Sequence, residues 1–328
     1  MVGRTVEIPG SVDSVIAVGS GALRLLTYID ATEEVIAVEE LETTNEKRPF
    51  RPYIHANPEL SELPSVGRRN RPDAELLLQQ DPDVVFWGWA EAGDANDLQN
   101  QIETPVVVVQ PGDINEENRP QFFGSLDLLG EIMGTSETAE NLQQFTTETI
   151  DDLASRTDDV SDEDRPRSYV GYLGRGNHGL TRTQPLYTPL EFVNANNVAS
   201  NLTGTLTTTK GAARIDIDPE EIIEQDPSYI FIDMGTVQYD ALLEEQYQSV
   251  TAIQNEDVYT LFPVREYSIN FGTALANAYY AGSVLYPDRF SDVDPVSKAD
   301  EIYEEYVGAP VYDDLTGPYG RGFGRLEF

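Results

Sequence analysis

DAELLLQQDPDVVF, residues 73–86, recurs without a gap as DPEEIIEQDPSYIF, residues 218–231. A constant offset of 145 residues pairs Asp73 with Asp218, Glu75 with Glu220, Gln80 with Gln225, Asp81-Pro82 with Asp226-Pro227, and Phe86 with Phe231. Each copy opens on an acid suited to cap a helix, stops at Asp-Pro, where proline cannot continue the helix, and enters an apolar strand. Two copies of one helix–stop–strand unit predict two related α/β lobes.

The surrounding chain extends each copy into a larger unit. Ahead of the first lie a strand at Ser14–Val18, the turn Gly19-Ser20-Gly21, a helix over Ala22–Ile29 and a strand at Val35–Val38. This strand–helix–strand order implies a parallel sheet. The Pro- and charge-rich stretch Glu39–Leu63 reads as a surface excursion, followed by a short strand at Val66-Gly67. After the first copy come Gly88-Trp89, a helix over Ala95–Ile102, the four-valine run Val106–Val109 suited to a sheet covered on both faces, and a helix over Phe122–Met133. Beyond the midpoint the pattern restarts with a strand at Ser168–Leu173, the loop Gly174–Gly179 and a helix over Pro189–Asn196. A strand at Val258–Leu261, helices over Asn270–Leu285 and Ser297–Val307, and a Gly- and aromatic-rich tail complete the second half.

Between the halves lies SETAENLQQFTTETIDDLASR, residues 136–156. Its Ala139, Leu142, Phe145, Thr149, Ile150 and Leu153 return at three- and four-residue steps, so they share one helix face about 30 Å long. The fold class is therefore α/β: two Rossmann-like lobes with parallel central sheets, joined by one long rigid helix, with a ligand cleft expected between them. The N-terminal lobe is expected over residues 1–118, connecting helices over 119–158 and the C-terminal lobe over 159–328.

Charge narrows the partners. The 328 residues carry 58 acidic and 21 basic side chains, a formal net charge of −37, and only three of the cations are Lys. Such a surface repels nucleic acid, and self-repulsion destabilises the folded chain in dilute buffer. At molar salt the Debye length falls to roughly 3 Å and screens that repulsion. The composition resembles that of halophiles, haloarchaea in particular; 17 Tyr, 12 Phe and clear periodicity argue against an acidic disordered chain. Without Cys there are no disulfides, thiolate catalysis or Cys-based metal sites. No apolar run reaches membrane-spanning length, and Met1-Val2-Gly3-Arg4 leads directly into a strand-like segment, as in a trimmed mature chain.

In open parallel sheets ligands collect beyond the carboxyl ends of the strands. Arg68, Arg69 and Arg71 concentrate three cations within four residues, suited to carboxylate, phosphate or hydroxamate oxygens, or to pairing with the plentiful neighbouring acids. Trp87 and Trp89 bracket a glycine at a strand end, where alternation sends both to one side as a flat apolar wall; core packing is the alternative. Gly174-Arg175-Gly176-Asn177-His178-Gly179 fits the dinucleotide fingerprint GxGxxG, which also needs a helix opening at the loop; two prolines in Thr181–Pro189 postpone it. The glycines then let backbone approach a bulky ligand, with Arg175, Asn177 and His178 facing it, joined by Arg265 and Tyr267 from the loop after the last strand. His55 and His178 lie in different halves, so neither a catalytic triad nor a protein metal site emerges. No cofactor and no enzymatic activity are expected, with a nucleotide-dependent enzyme built on the glycine loop as the alternative of another class.

Several strings resemble one family: RPYIHANPEL followed by LPSVG, GRGNHGL with TPLEFVNANNVA, and ANAYYAGSVLYPDRFSDVDPVSKADEIYEEYVGAPVYDDL. They are similar to class III solute-binding proteins of ABC importers, the group that receives iron siderophores, haem and cobalamin, and the resemblance covers nearly the whole chain. It implies capture of a metal chelate, a ferric siderophore foremost, with cobalamin, haem or an oxyanion such as molybdate as alternative cargo. It implies a monomeric extracellular protein held to the cell surface by an N-terminal lipid-type anchor removed from this chain, docking on a permease and ATPase complex. In the family one exposed Glu per lobe meets permease arginines, and Glu75 and Glu220 occupy the matching positions. Asn201-Leu202-Thr203 is a glycosylation sequon consistent with that location.

The charge reading predicts salt-dependent folding. Circular dichroism should show a cooperative fold at molar KCl that is lost at millimolar salt; an equally stable fold at both would contradict it.

Overall fold

Two contiguous apolar runs, VIAV at Val15–Val18 and VVVV at Val106–Val109, are buried along their whole length, as strands covered on both faces require. A computed structural model describes residues 2–44, 49–173, 179–206, 213–235 and 239–327. It divides the described chain into two units: residues 1–146, 266–269 and 304–311, and residues 147–265, 270–303 and 312–328.

In unit 1 the order is β1 (Val15–Val18), α1 (Ala22–Tyr28), β2 (Val35–Ala37), α2 (Pro52–Ala56), β3 (Gly67–Arg68), β4 (Arg71–Pro72), α3 (Ala74–Gln80), β5 (Val84–Gly88), α4 (Ala92–Ile102), β6 (Val106–Val109), α5 (Arg119–Met133) and the start of α6 (Ser136–Ser155). The sheet runs β2-β1-β5-β6, every pair parallel, with Ala17 opposite Phe86 and Phe86 opposite Val107. Leu77 of α3 and Ala95, Leu98 and Ile102 of α4 pack with Ile16, Val85, Val106 and Val108 into one core. Helix α5 stops at Gly134, whose left-handed φ of 74° places its amide on the Gly130 carbonyl, and α6 begins two residues later. Along α6 five of the six periodic residues are buried, Ala139, Leu142, Thr149, Ile150 and Leu153, joined by Thr146, while Phe145 is half-buried. Within unit 1, Thr146 shares a 2.6 Å hydrogen bond with Tyr306, whose ring meets Tyr28 edge-on.

The stretch after β2 departs from the expected surface excursion. Phe50, Tyr53 and Ile54 are buried, α2 forms at Pro52–Ala56 with a 3-10 turn at Pro58–Glu62, and Glu42 is taken inward with Arg51 as its ion-pair partner. Opposite charges nine residues apart in sequence neutralise each other, so a stretch rich in charge can still bury its aromatic side chains.

Unit 2 takes up the second half of α6 and continues with β7 (Arg167–Gly171), β8 (Arg182–Thr183), α7 (Thr188–Phe192), β9 (Asn196–Asn197), β10 (Thr205–Leu206), β11 (Ile215–Asp216), α8 (Pro219–Gln225), β12 (Tyr229–Asp233), α9 (Thr251–Gln254), β13 (Val258–Leu261), α10 (Phe271–Leu285), α11 (Pro295–Val307), α12 (Tyr312–Thr316) and β14 (Gly324–Arg325). Residues 304–307 of α11 fall in unit 1. The main sheet runs β14-β13-β12-β7-β9 and is parallel except for β14, which the aromatic tail contributes antiparallel to β13. The short antiparallel sheet β10-β11-β8 and the tail strand carried no sequence signal.

The internal repeat maps onto equivalent places in the two sheets. α3–β5 and α8–β12 each deliver a central strand, between β1 and β6 in one sheet and between β7 and β13 in the other. Leu77 and Ile222, 145 residues apart, are both 0% exposed, as are Phe86 and Phe231. Asp81 and Asp226 close the helices in the left-handed conformation, with φ of 52° and 38°. Only the starts differ: Asp73 accepts from the amides of Glu75 and Leu76, whereas Asp218 makes no side-chain cap bond and Pro219 follows it.

This register predicts that Leu77→Ala costs about 2–5 kcal/mol. Leu78→Ala, one residue on and 52% exposed, should stay within about 0.5 kcal/mol. Equal losses in denaturant titrations at molar salt would contradict the register of α3.

Candidate functional site

Beyond the carboxyl ends of the unit 1 strands, three loops meet. The turn after β1 is Gly19-Ser20-Gly21, and Gly21 has φ +86°; a Cβ there would lie 2.9 Å from Pro111 Cγ and 3.0 Å from Ser268 Oγ, so only glycine allows the approach. The β3–β4 hairpin exposes Arg68, Arg69, Asn70 and Arg71. Asn70 turns at φ 55°, a conformation Asn tolerates, and its Oδ1 accepts the Ser20 amide at 2.9 Å. The third loop is Glu266–Ile269, where Tyr267 and Ser268 are successive non-glycine residues at positive φ, 54° and 97°. Such backbone persists only when its surroundings over-determine it.

Arg24 supplies most of that restraint. Its guanidinium, 1% exposed, donates to the carbonyls of Glu266 at 2.8 Å and Ile269 at 2.7 Å, approaches that of Tyr267 at 3.5 Å, and lies over the Tyr53 ring. Behind it the buried Glu42 carboxylate accepts from Arg51 and from the Tyr53 hydroxyl, whose oxygen lies 2.9 and 3.0 Å from the two carboxylate oxygens. Burial pushes the Glu42 pKa up, and the Arg51 charge and the Tyr53 hydrogen bond counter it.

Glu39, just past β2, joins the three loops. One oxygen accepts the Asn70 amide at 2.8 Å and the other accepts the Tyr267 hydroxyl. Burial dominates and pushes its pKa from 4.5 up to about 7; the hydrogen bonds from Tyr267, Gly19 and Asn70 lower it, and Glu42 raises it further. The folded state thus holds this proton more tightly than the unfolded chain. The stability it contributes is complete below pH 4.5 and is lost as pH rises through about 7.

Of the residues singled out in the sequence, Arg69 and Tyr267 come together, the guanidinium 5.1 Å above the ring centroid. Arg68 points to Glu40 at 3.9 Å, both exposed and therefore screened. Arg71 and Trp87 line one hollow of about 400 Å³ with Asn70, Asp94 and Asp97. The expected wall of Trp87 and Trp89 needs correcting: β5 ends at Gly88, and Trp89 turns to φ 62° to give its amide to Val109, so strand alternation does not extend to it. Trp87 packs partly against the unit 1 core. His55 Nε2 lies 2.6 Å from the Pro49 carbonyl, a structural hydrogen bond. Glu75 and Glu220 are both exposed at the second position of α3 and α8.

At the carboxyl end of the unit 2 sheet, Asp233 closes β12, is buried, and accepts the Gly235 amide at 2.8 Å. Arg265 follows β13 and is half-buried, as is Arg214, just ahead of β11. Burial pulls the Arg214 pKa down; Asp233 and Tyr187 oppose this, while the like charges of Arg265 and Arg182 add to it. Arg182 is also clamped through two nitrogens to Asp216, at 2.7 and 2.8 Å. Arg175, Asn177 and His178 lie outside the described residues. The first helix beyond their loop is α7, which starts only at Thr188, so among the described residues no helix N-terminus follows the GxGxxG string directly.

Arg24, Glu39, Asn70 and Arg214 were not anticipated from the sequence. Arg24 could have been: it is the only charge in the apolar helix ALRLLTY. Glu39 and Arg214 had no distinguishing neighbours in a chain with 58 acids and an undifferentiated run before β11.

The periplasmic binding protein fold is matched on several levels. The profile described as periplasmic binding protein matches residues 15–264. The molybdate-binding protein MolA of Haemophilus influenzae is 24% identical over 326 residues, covering 92% of this chain and 88% of that protein. Its molybdate-bound structure superposes with a TM-score of 0.71 at 19% identity, over 94% of this chain and 97% of that one. A periplasmic solute-binding protein of Veillonella parvula gives 0.75 at 15% identity, over 97% and 94%, and the periplasmic haem-binding protein HutB of Vibrio cholerae 0.61 at 16%, over 84% and 99%. The nucleotide-enzyme alternative is thereby set aside. This chain belongs to the periplasmic binding protein family, as a solute-binding component of an ABC transporter and not an enzyme.

Proposed function

We propose that this solute-binding component captures an anionic metal species, a small oxyanion such as molybdate foremost, and presents it to its permease. One observation carries the reading: in a chain of net charge −37, each unit by itself places arginines beyond the carboxyl end of its sheet. Unit 1 presents Arg68, Arg69 and Arg71, with Arg69 steadied over Tyr267. Unit 2 gathers Arg214 and Arg265 around the buried Asp233, with the two guanidinium charges opposing each other and Asp233 offsetting part of that repulsion. Like-charged, partly desolvated guanidiniums are relieved by an anion whose oxygens accept their N–H forks. A local cationic patch also offsets the repulsion that so acidic a protein exerts on an approaching anion. The similarity to MolA points to the same ligand chemistry.

The ferric siderophore is the second reading, with haem and cobalamin beside it. It is favoured by the hollow of about 400 Å³ that Arg71 and Trp87 line, larger than a tetrahedral ion requires. Arg175, Asn177 and His178 serve as cargo contacts in either reading. Glu75 and Glu220, exposed at equivalent helix positions, serve as the permease contacts. The protein works outside the cytoplasmic membrane in a salt-rich setting, monomeric and tethered through an N-terminal anchor.

Titration calorimetry in molar KCl against molybdate, a ferric siderophore, haem and cobalamin, paired with uptake by the reconstituted transporter, tests both assignments. Arg69→Gln and Arg265→Gln should each weaken molybdate binding about tenfold or more, the scale of one charge-assisted contact. Glu75→Arg with Glu220→Arg should stop uptake and leave affinity unchanged. Undiminished binding in the arginine variants, or lost binding in the glutamate pair, would contradict the respective assignment.

A further inference from the structure

We infer that Glu39 is a positioning residue for cargo capture: one buried carboxylate sets the three ligand-facing loops of unit 1, and its protonation makes anion binding dependent on pH. The inference rests on the reading that these loops receive an anion.

The geometry is convergent. Donors from two separate stretches, the Asn70 amide at 2.8 Å and the Tyr267 hydroxyl, end on the same side chain, and the Gly19 amide of a third stretch favours its ionised form. An ionised carboxylate only accepts, which suits all of these donors; a carboxylic acid carries a hydrogen of its own that needs an acceptor, so the bond to a hydroxyl such as that of Tyr267 can reverse. Tyr267 is the donor with an alternative, because its hydroxyl lies 3.4 Å from Asn70 Oδ1. That oxygen already accepts the Ser20 amide at 2.9 Å, so a rotation of the Tyr267 hydroxyl is felt in both other loops. Arg69, stacked on the Tyr267 ring, follows the same residue.

The charged and titratable surroundings of Glu39 give the direction. Tyr267 faces it from the Glu266–Ile269 loop and Glu42 from its own turn. Beyond Glu42 stand Arg51 and Tyr53, with Arg24 of α1 against Tyr53, and Arg69 covers Tyr267 from the hairpin. Arg51 is committed to Glu42, and among the described residues no cation is paired with Glu39. An ionised Glu39 is thus a buried negative charge under loops that receive an anion, poorly screened by salt, and protonation removes it. Burial moves this titration to about pH 7. Anion affinity should therefore rise as pH falls through neutrality.

The test compares wild type with Glu39→Gln and Tyr267→Phe in molar KCl between pH 5.5 and 8.5. Molybdate affinity is followed by calorimetry, and hydrogen exchange of residues 17–21, 66–72 and 265–270 is compared between proteins at each pH. Wild-type affinity should weaken several-fold as pH rises through about 7. Glu39→Gln, an uncharged mimic of the acid, should hold the low-pH affinity and loop protection across the range. Tyr267→Phe removes a hydrogen bond to the charged form and should move the midpoint up. A pH profile in Glu39→Gln that parallels wild type, in affinity or in loop exchange, overturns the inference. If wild type binds no molybdate, the anion reading fails by itself, and the exchange profiles still decide whether Glu39 governs the loops.

Discussion

A single buried guanidinium restrains the loops of unit 1 to which we assign solute capture. Arg24 reaches carbonyls 242 and 245 residues away in sequence and holds a loop in which two successive non-glycine residues adopt positive φ. A cation so desolvated is tolerable only when most of its donors are used, and unit 1 provides this through the carbonyls and the Tyr53 face, with Arg24 Nε left without a hydrogen-bond partner among the described residues. Everything that Tyr267 then does, from its bond to Glu39 to its stacking under Arg69, depends on that anchorage.

The remaining architecture brings such loops to the edge of a sheet. A duplicated helix–strand unit places one central parallel strand in each sheet, and parallel strands deliver all their following loops to the same end. An acidic chain that captures an anion has to separate its long-range field from its local one. Molar salt screens the first beyond a few ångströms, roughly 3 Å. Arginines partly withdrawn from solvent, such as Arg214 and Arg265, keep the second. Sparse cations concentrated at strand ends are therefore informative where sparse acids would not be.

Much of the fold could be read in advance, because it rests on periodicity and punctuation. The Asp-Pro stops, the valine run of β6, Gly134 at the end of α5 and the buried face of α6 are local properties of the chain. The inward course of the stretch after β2 could not, because it depends on Glu42 meeting Arg51, a contact that hydropathy reads as two exposed charges. The site was half legible for the same reason. Clustering flagged Arg68, Arg69 and Arg71, and position flagged Arg265 and Tyr267. Strand alternation overreached at Trp89, where the backbone turns left-handed, and Glu39 and Arg24 acquire meaning only from partners hundreds of residues distant.

Tungstate, the heavier analogue of molybdate, locates the cargo site most directly. In crystals grown with it at high salt, anomalous scattering from tungsten should give one dominant peak, with anion oxygens about 3 Å from the guanidinium of Arg69, Arg214 or Arg265. A dominant peak away from all three, or none at saturating tungstate, would contradict the assignment of these arginines to an oxyanion.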